Sequence, residues 1–322
     1  MNAEGAKNSS ATSPQVVVVG SLHLDIVVRA PERPRKGETL PGQSWGYKAG
    51  GKGGNQAVAA AQFGASVSMI SRVGNDDFGT RLLENLKSAR VDTQHVSIDG
   101  ETGSGMSVAI VDAEGDYGAV IVSGANLRLS SAEIEKARHL ISRARVLVLQ
   151  NEVPEVTNLT AARLARDRGV RVILNAAPAR RLELDTAANI DLLVVNAVEA
   201  EMICGVSVAS LSAATKAATI LCDQVPAAIV TAGGQGLALA VRGEPPYAEA
   251  AHPVNLLDTH GAGDAFVGAL SARWAGEASL NEAVRFANAA AALFVSTPGE
   301  QKRNITSQHV TRILVERFRS DA

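Results

Sequence analysis

The stretch of this chain best suited to chemistry is Asp258-Thr259-His260-Gly261-Ala262-Gly263-Asp264-Ala265-Phe266. Gly261 and Gly263 carry no side chain, so backbone N–H groups there can approach a ligand closely. An apolar, Ala-rich run follows and reads as a helix whose first turn opens at the glycines. The orphan N–H donors and partial positive charge of a helix start make a ready anion site. A carboxylate beside such a site is electrostatically awkward. Asp264 makes sense there as a base that takes the proton from a hydroxyl attacking a bound phosphate. A lone G-x-G-D also fits an ordinary helix cap, so the weight falls on the rest of the chain.

A second Gly-rich segment, Gly50-Gly51-Lys52-Gly53-Gly54-Asn55, precedes an Ala-rich helical run. Its glycines permit close backbone approach, Asn55 can cap the helix, and Lys52 supplies a cation. The GxxxxGK[ST] pattern of a Walker loop is absent. Lys52 and Asn55 could hold a polyhydroxylated substrate, and the segment could equally be a structural turn.

The elements that must position these groups alternate. Short, β-branched, nearly continuous apolar runs read as buried parallel strands: Val16–Val19, Val67–Ile70, Val146–Leu149, Val172–Leu174, Leu192–Val195 and Ala228–Val230. Helical patterns lie between and after them, at Asn55–Phe63, Gly79–Ser88, Val156–Arg168, Glu199–Ile203, Ala213–Cys222, Asp264–Trp274 and Leu280–Val295. The alternation predicts an α/β fold with a doubly wound, mostly parallel sheet covered by helices on both faces. Small, amide and acidic residues gather just after the strands: Gly20 to Asp25, Gln150-Asn151-Glu152, Asn175 to Pro178, Asn196 to Glu199 and Thr231 to Gly236. In open α/β sheets that edge is where ligands bind. Two segments, about 24–48 and 103–122, hold short alternating stretches punctuated by Gly, Pro and acidic residues; they read as antiparallel strands of a small β lid.

The chain has 322 residues, 46% hydrophobic, with a formal net charge of −2. That suits one large α/β domain, here 15–322, and gives no reason to propose nucleic acid or a membrane as partner. No apolar run approaches the roughly 20 residues of a membrane span. Residues 1–14 are Ser/Ala/Asn-rich and read as a disordered tail. Cys204 and Cys222 are too few for a disulfide framework and read as buried thiols in a reducing, cytoplasmic compartment. The six histidines, His23, His95, His139, His252, His260 and His309, have no metal-ligand spacing.

Taken in order, Gly50-Gly51-Lys52-Gly53-Gly54-Asn55-Gln56-Ala57, Asn175-Ala176-Ala177-Pro178-Ala179-Arg180, Asn196-Ala197-Val198-Glu199 and Asp258 to Asp264 resemble the ribokinase-like (phosphofructokinase-B type) carbohydrate kinases. The resemblance runs from about Val16 to Phe318. It implies an ATP-dependent kinase acting on the primary hydroxyl of a pentose such as D-ribose. It makes Asp264 the base, and Gly261, Ala262 and Gly263 the anion hole. Asn196 and Glu199 would organise Mg²⁺, largely through water. Thr231, Gly233, Gly236 and Asn288 would line the ATP site, with Gly263 at the phosphates. Asp25, Gly51, Lys52, Asn55 and Glu152 would contact the sugar, beside Asp264. Asp258, His260, Thr297 and Gly299 would form a site for a monovalent cation, potassium. Arg303 stands near a position where the family carries a small hydroxyl residue, and a guanidinium there could crowd or replace that ion.

A dehydrogenase on the same sheet would need G-x-G-x-x-G after the first strand, and Gly20-Ser21-Leu22-His23 lacks it. A catalytically silent sugar or nucleotide sensor would be expected to lose the base, and Asp264 is present. Deoxyribose, fructose, adenosine and pseudouridine stay open as substrates, because fold-level likeness does not fix a substrate. As a small separate sheet, the lid would expose apolar faces and open edges. Pairing lid to lid in a two-fold homodimer would cover them.

Overall fold

The computed structural model describes residues 15–114 and 116–320; the tail expected over 1–14 lies outside the described residues. In chain order the strands are β1 (Val16–Val19), β2 (His23–Arg29), β3 (Ser44–Gly50), β4 (Val67–Gly74), β5 (Asp92–Asp99), β6 (Gly105–Val111) and β7 (Tyr117–Val122). They continue with β8 (Val146–Gln150), β9 (Arg171–Asn175), β10 (Leu192–Asn196), β11 (Ala227–Thr231), β12 (Leu237–Val241) and β13 (Tyr247–Glu249).

Among the described residues, nine strands form one sheet in the order β13-β12-β11-β10-β9-β8-β1-β4-β5. The pairs from β11 to β5 are parallel; β12 and β13 run antiparallel at one edge. β1 shows why the sheet is central. All four of its valines are fully buried. Successive side chains point to opposite faces, so Val17 and Val19 enter one core and Val16 and Val18 the other. Helices Glu155–Arg166 and Leu211–Cys222 cover the first face. Helices Lys52–Gln62, Ala262–Ala275 and Leu280–Ser296 cover the second.

The remaining four strands form a separate small sheet, β3-β2-β6-β7. Its outer pairs are antiparallel, but its central pair, β2 with β6, is parallel. The lid is therefore mixed, where the sequence led us to expect antiparallel strands throughout. β2 and β6 each enter the small sheet soon after a strand of the main one, β1 and β5, so they run the same way. Trp45, Tyr47, Val120, Ile121 and Val122 of this sheet are exposed. Cys222 is buried, but Cys204, near the end of helix Ala197–Cys204, is partly exposed, so only one thiol is buried as expected. No helix among the described residues is long and apolar enough to cross a membrane.

Candidate active site

The helix that begins at Lys52 starts earlier than the sequence suggested. Gly51 is its N-cap, at φ 83°, a conformation that favours glycine. A Cβ on Gly51 would lie 2.7 Å from the His23 nitrogen and 2.9 Å from Leu22 Cα, so only glycine lets this loop lie against the start of the lid. Asn55 is thus inside the first turns and does not cap the helix. Its amide Nδ2 instead donates to Asp264 Oδ2 at 3.0 Å, and the next residue, Gln56, donates from Nε2 to Asp264 Oδ1 at 2.9 Å. Gln56 Nε2 also donates to Asn175 Oδ1 at 3.0 Å, which ties the pair to the end of β9. Sequence reasoning passed over Gln56 because it reads as an ordinary helical residue.

Asp264 lies in the first turn of helix Ala262–Ala275, whose N-cap, Gly261, is left-handed at φ 82°. Burial pushes the Asp264 carboxyl above its ordinary value; Lys52 and the Asn55 and Gln56 amides pull it back, and Glu152 adds to the rise. Glu152 itself is held by the Ser21 hydroxyl and by the Lys52 backbone N–H, which donates at 2.9 Å. That carboxylate therefore joins the ends of β1 and β8 to the Lys52 loop. Asp25, on β2, accepts from Ser107 Oγ on β6 at 2.5 Å and sits opposite Lys48 of β3. Lys48 was not anticipated. Its pKa is lowered by desolvation and by Lys302, against the pull of Asp258, Asp25 and Asp264.

A cavity of about 160 Å³ is lined by Lys52, Asn175, Asn196, Glu199, Gly261 to Asp264 and Thr231, among others. Asn196 caps helix Ala197–Cys204 in a reciprocal pair: its Oδ1 accepts from the Glu199 N–H at 2.9 Å, and Glu199 Oε2 accepts from the Asn196 N–H at 2.8 Å. Glu199 Oε1 has no hydrogen-bond partner among the described residues. Burial pushes the Glu199 carboxyl up, the Asn196 N–H and Lys52 pull it down, and Asp264 raises it. One buried carboxylate with a spare oxygen, next to room for water and phosphate, fits Mg²⁺, which prefers oxygen ligands and keeps several waters.

A larger cavity of about 550 Å³ meets the first at Thr231, Thr259, Ala262, Gly263 and Phe266. Gly233, Gly236 and Asn288 line it with apolar residues such as Leu237, Leu256 and Val295. Asn288, mostly buried, donates to the Ala250 carbonyl at 3.2 Å. One groove thus carries an apolar pocket at one end and a carboxylate at the other, with the Gly261–Gly263 turn between them.

Of the residues that the resemblance assigns to a potassium site, Asp258 and Thr297 have side chains already engaged in hydrogen bonds. Asp258 Oδ2 accepts from Lys302 Nζ at 2.8 Å and Oδ1 from the His260 N–H at 2.9 Å. Thr297 turns its hydroxyl back onto the Leu293 carbonyl at 2.7 Å, and Gly299 opens the 3-10 helix Gly299–Asn304. The cation that reaches Asp258 is the buried Lys302; Arg303 points out to solvent. The His260 imidazole is held below its ordinary pKa by burial and by Lys48.

Residues 13–307 match the pfkB family carbohydrate kinases. The chain belongs to that family. It is 35% identical over 300 residues to a ribokinase of Haemophilus influenzae, covering 93% of this chain and 98% of that one. It is 38% identical to the mouse ribokinase, over 89% of this chain and 90% of that one. It is also 34% identical to a deoxyribokinase of Salmonella typhi, over 89% and 94%. The structure of an Arabidopsis thaliana ribokinase complexed with ribose and ATP superposes with a TM-score of 0.86 at 29% identity, covering 94% of this chain and 99% of that one. The mostly parallel sheet, the small second sheet and the carbohydrate-kinase class expected from sequence therefore stand.

Proposed function

We propose that this pfkB-family kinase is a ribokinase, moving the γ-phosphoryl group of ATP to the primary hydroxyl of D-ribose. The observation that carries the reading is Asp264: a carboxylate held by two amides in a polar cavity that opens, past the Gly261–Gly263 turn, into an apolar one. Adenine and ribose of ATP would occupy the larger cavity beside Asn288, Gly233 and Gly236. The phosphates would reach Thr231, Asn196 and the Gly261–Gly263 turn. Asp264 would take the proton of the sugar hydroxyl as its oxygen attacks the γ-phosphorus in line. The turn's N–H groups would bind the charge that spreads over the transferring oxygens. Lys52, near both Asp264 and Glu199, would hold negative charge on the sugar side. Bound Mg²⁺ would neutralise phosphate charge, held through water by Glu199 Oε1 and Asn196. Asp25, Asn55, Glu152 and the Gly51 backbone would bind the sugar hydroxyls.

The likeness to relatives named ribokinase, at 35% and 38% identity, supports ribose, and the likeness to a deoxyribokinase at 34% makes 2-deoxyribose the rival acceptor. Comparison of kcat/KM for D-ribose, 2-deoxyribose, fructose and adenosine tests the substrate. A buried polar site rejects an analogue that leaves its groups unpaired. Ribose should lead, and a preference for any other acceptor would overturn this substrate. The apolar surface of the small sheet, with Trp45, Tyr47 and Val120 to Val122, supports a homodimer joined lid to lid. Light scattering should give twice the chain mass, and Val120→Glu should halve it; a monomeric wild type would end the idea.

A further inference from the structure

Lys302 is an unusual lysine. Its side chain is only 10% exposed, and its ammonium makes a 2.8 Å ion pair with Asp258. The same Nζ lies 4.3 Å from the centroid of the Phe294 ring, a favourable cation–π arrangement. Phe294 in turn packs beside Gly261: a Cβ on that glycine would fall 3.4 Å from the ring edge. The backbone around Lys302 is tied to the sugar-side helix, since Gln62 Nε2 donates to the carbonyls of Lys302 and Ile305, each at 2.7 Å. The ammonium therefore joins the Asp258 end of the anion turn to the ring beneath Gly261, and the Lys302 backbone is tied to the last residue of helix Lys52–Gln62.

An exchangeable cation at this place would neutralise Asp258 and hold the turn. Both Asp258 oxygens are already engaged, and the Thr297 hydroxyl faces its own helix. A second cation on this partly exposed carboxylate would have to compete with the Lys302 ammonium, already 2.8 Å away. A lysine ammonium is a compact point charge, close in character to a monovalent ion, and burial on a short 3-10 helix fixes its place. We propose that Lys302 is a tethered cation: it holds Asp258, and through it the turn leading to Asp264, in the arrangement that a free monovalent cation would otherwise supply. Lys302 is thus a positioning residue, and the protein works without potassium. The inference rests on the kinase reading only for its rate measurements.

The test compares the full-length wild type with Lys302→Met in choline chloride and in potassium chloride at equal ionic strength. Tris-ATP, Mg²⁺ and D-ribose serve as reactants. Wild-type kcat should agree between the two salts within about twofold, and Lys302→Met should lose about tenfold or more in choline and regain part of it in potassium. A purely structural loss would not respond to the salt. Independently of turnover, potassium should leave the wild-type melting temperature unchanged and raise that of Lys302→Met. Thallium(I) NMR should detect ion binding to the variant alone. Strong potassium activation of the wild type, thallium binding to it, or full variant activity in choline would each overturn the proposal. If the variant does not fold, the wild-type arms decide. If ribose is not the substrate, the melting and thallium arms decide.

Discussion

Helices Lys52–Gln62 and Ala262–Ala275 carry the donors and the acceptor of the Asp264 site, and Gly268 sets the distance between them. A Cβ at Gly268 would lie 2.4 Å from Ala59 Cβ and 2.8 Å from both the Ala60 nitrogen and the Gln56 carbonyl. Carbon atoms in contact need about 3.5 Å or more, so Gly268→Ala must part the helices by about 1 Å. The bonds from Asn55 and Gln56 to Asp264, now 3.0 and 2.9 Å, lie along the same seam, a turn away from the contact. Stretching them by that amount takes them to about 4 Å, outside hydrogen-bonding range. Overpacking costs about 1–3 kcal/mol, and the better helix propensity of Ala returns up to about 1 kcal/mol. At about 2–4 °C per kcal/mol the melting temperature should fall by a few degrees. The rate should suffer more. Displacement of a catalytic group by about 1 Å can cost about 10²-fold, so kcat should drop by about 10- to 100-fold. KM for ATP should change less than kcat, because Ala262, Gly263 and Phe266 of the displaced helix form only one wall of the large cavity. A coupled assay of ADP release and a thermal melt read both quantities. Adding Ala59→Gly, which removes the nearest clashing atom, should restore part of each. Full kcat in Gly268→Ala, or no recovery in the double variant, would refute the claim that this contact tunes the site.

Asp264→Asn should fold, retain ATP binding and lose about 10²–10⁴-fold in kcat, as expected for removal of a general base; near-normal turnover would exclude that role. The folded pKa of Asp264 is raised, so its stabilising contribution belongs to the protonated form, present below the ordinary carboxyl range and lost as pH rises through the raised value. At neutral pH its charge costs stability, so Asp264→Asn should melt no lower than wild type, and the acid limb of kcat/KM should lie above an ordinary aspartate's. Glu199→Gln keeps the shape of the capping pair but removes the charge near the phosphates, so the Mg²⁺ concentration for half-maximal rate should rise; an unchanged requirement would remove Glu199 from that role. Asp99 is held at about 2, first by the Glu101 N–H, then against burial by the Thr102 N–H and Arg72. Its contribution is present above the ordinary aspartate value and lost as pH falls toward 2. The melting temperature of Asp99→Asn should therefore lie below wild type at neutral pH, and the gap should narrow on acidification.

The parallel centre of the main sheet was legible because its strands are short, β-branched-rich apolar runs buried on both faces, as in Val16–Val19. β5 was missed because Asp92–Asp99 is polar and lies at the sheet edge, where one side of a strand has no neighbour to bury it. β12 and β13 follow a tight turn at Gly236 and pair antiparallel, outside the strand–helix rhythm used to find the others. Asp264 stood out through its glycines. Gln56 did not, because its partner lies 208 residues away and no local pattern encodes that. Lys302 and Arg303 are adjacent bases, and which one turns inward depends on the phase of a single 3-10 turn. Lys48 became visible only when the β2–β3 register placed it opposite Asp25.

The small sheet is assembled from two separate excursions of the chain, and each leaves and rejoins the main body at a narrow neck. At the first, the Gly54 N–H donates to the Ser21 carbonyl at 2.9 Å; at the second, the Ala125 N–H donates to the Gly103 carbonyl at the same distance. Between those necks, and away from the Gly51–Lys52 corner that packs on the body, the lid strands can lengthen, shorten or change sequence while the strands on either side stay where they are, since closing a somewhat longer loop adds little entropy. Asp25 and Lys48 travel with the first excursion, whereas Asp264 and Glu199 belong to the body. Diversification of such an enzyme can thus proceed as cassette exchange. On the roles proposed for this sheet, acceptor preference and subunit pairing would be rewritten together in two pieces, while Asp264 and Glu199 stay with the body.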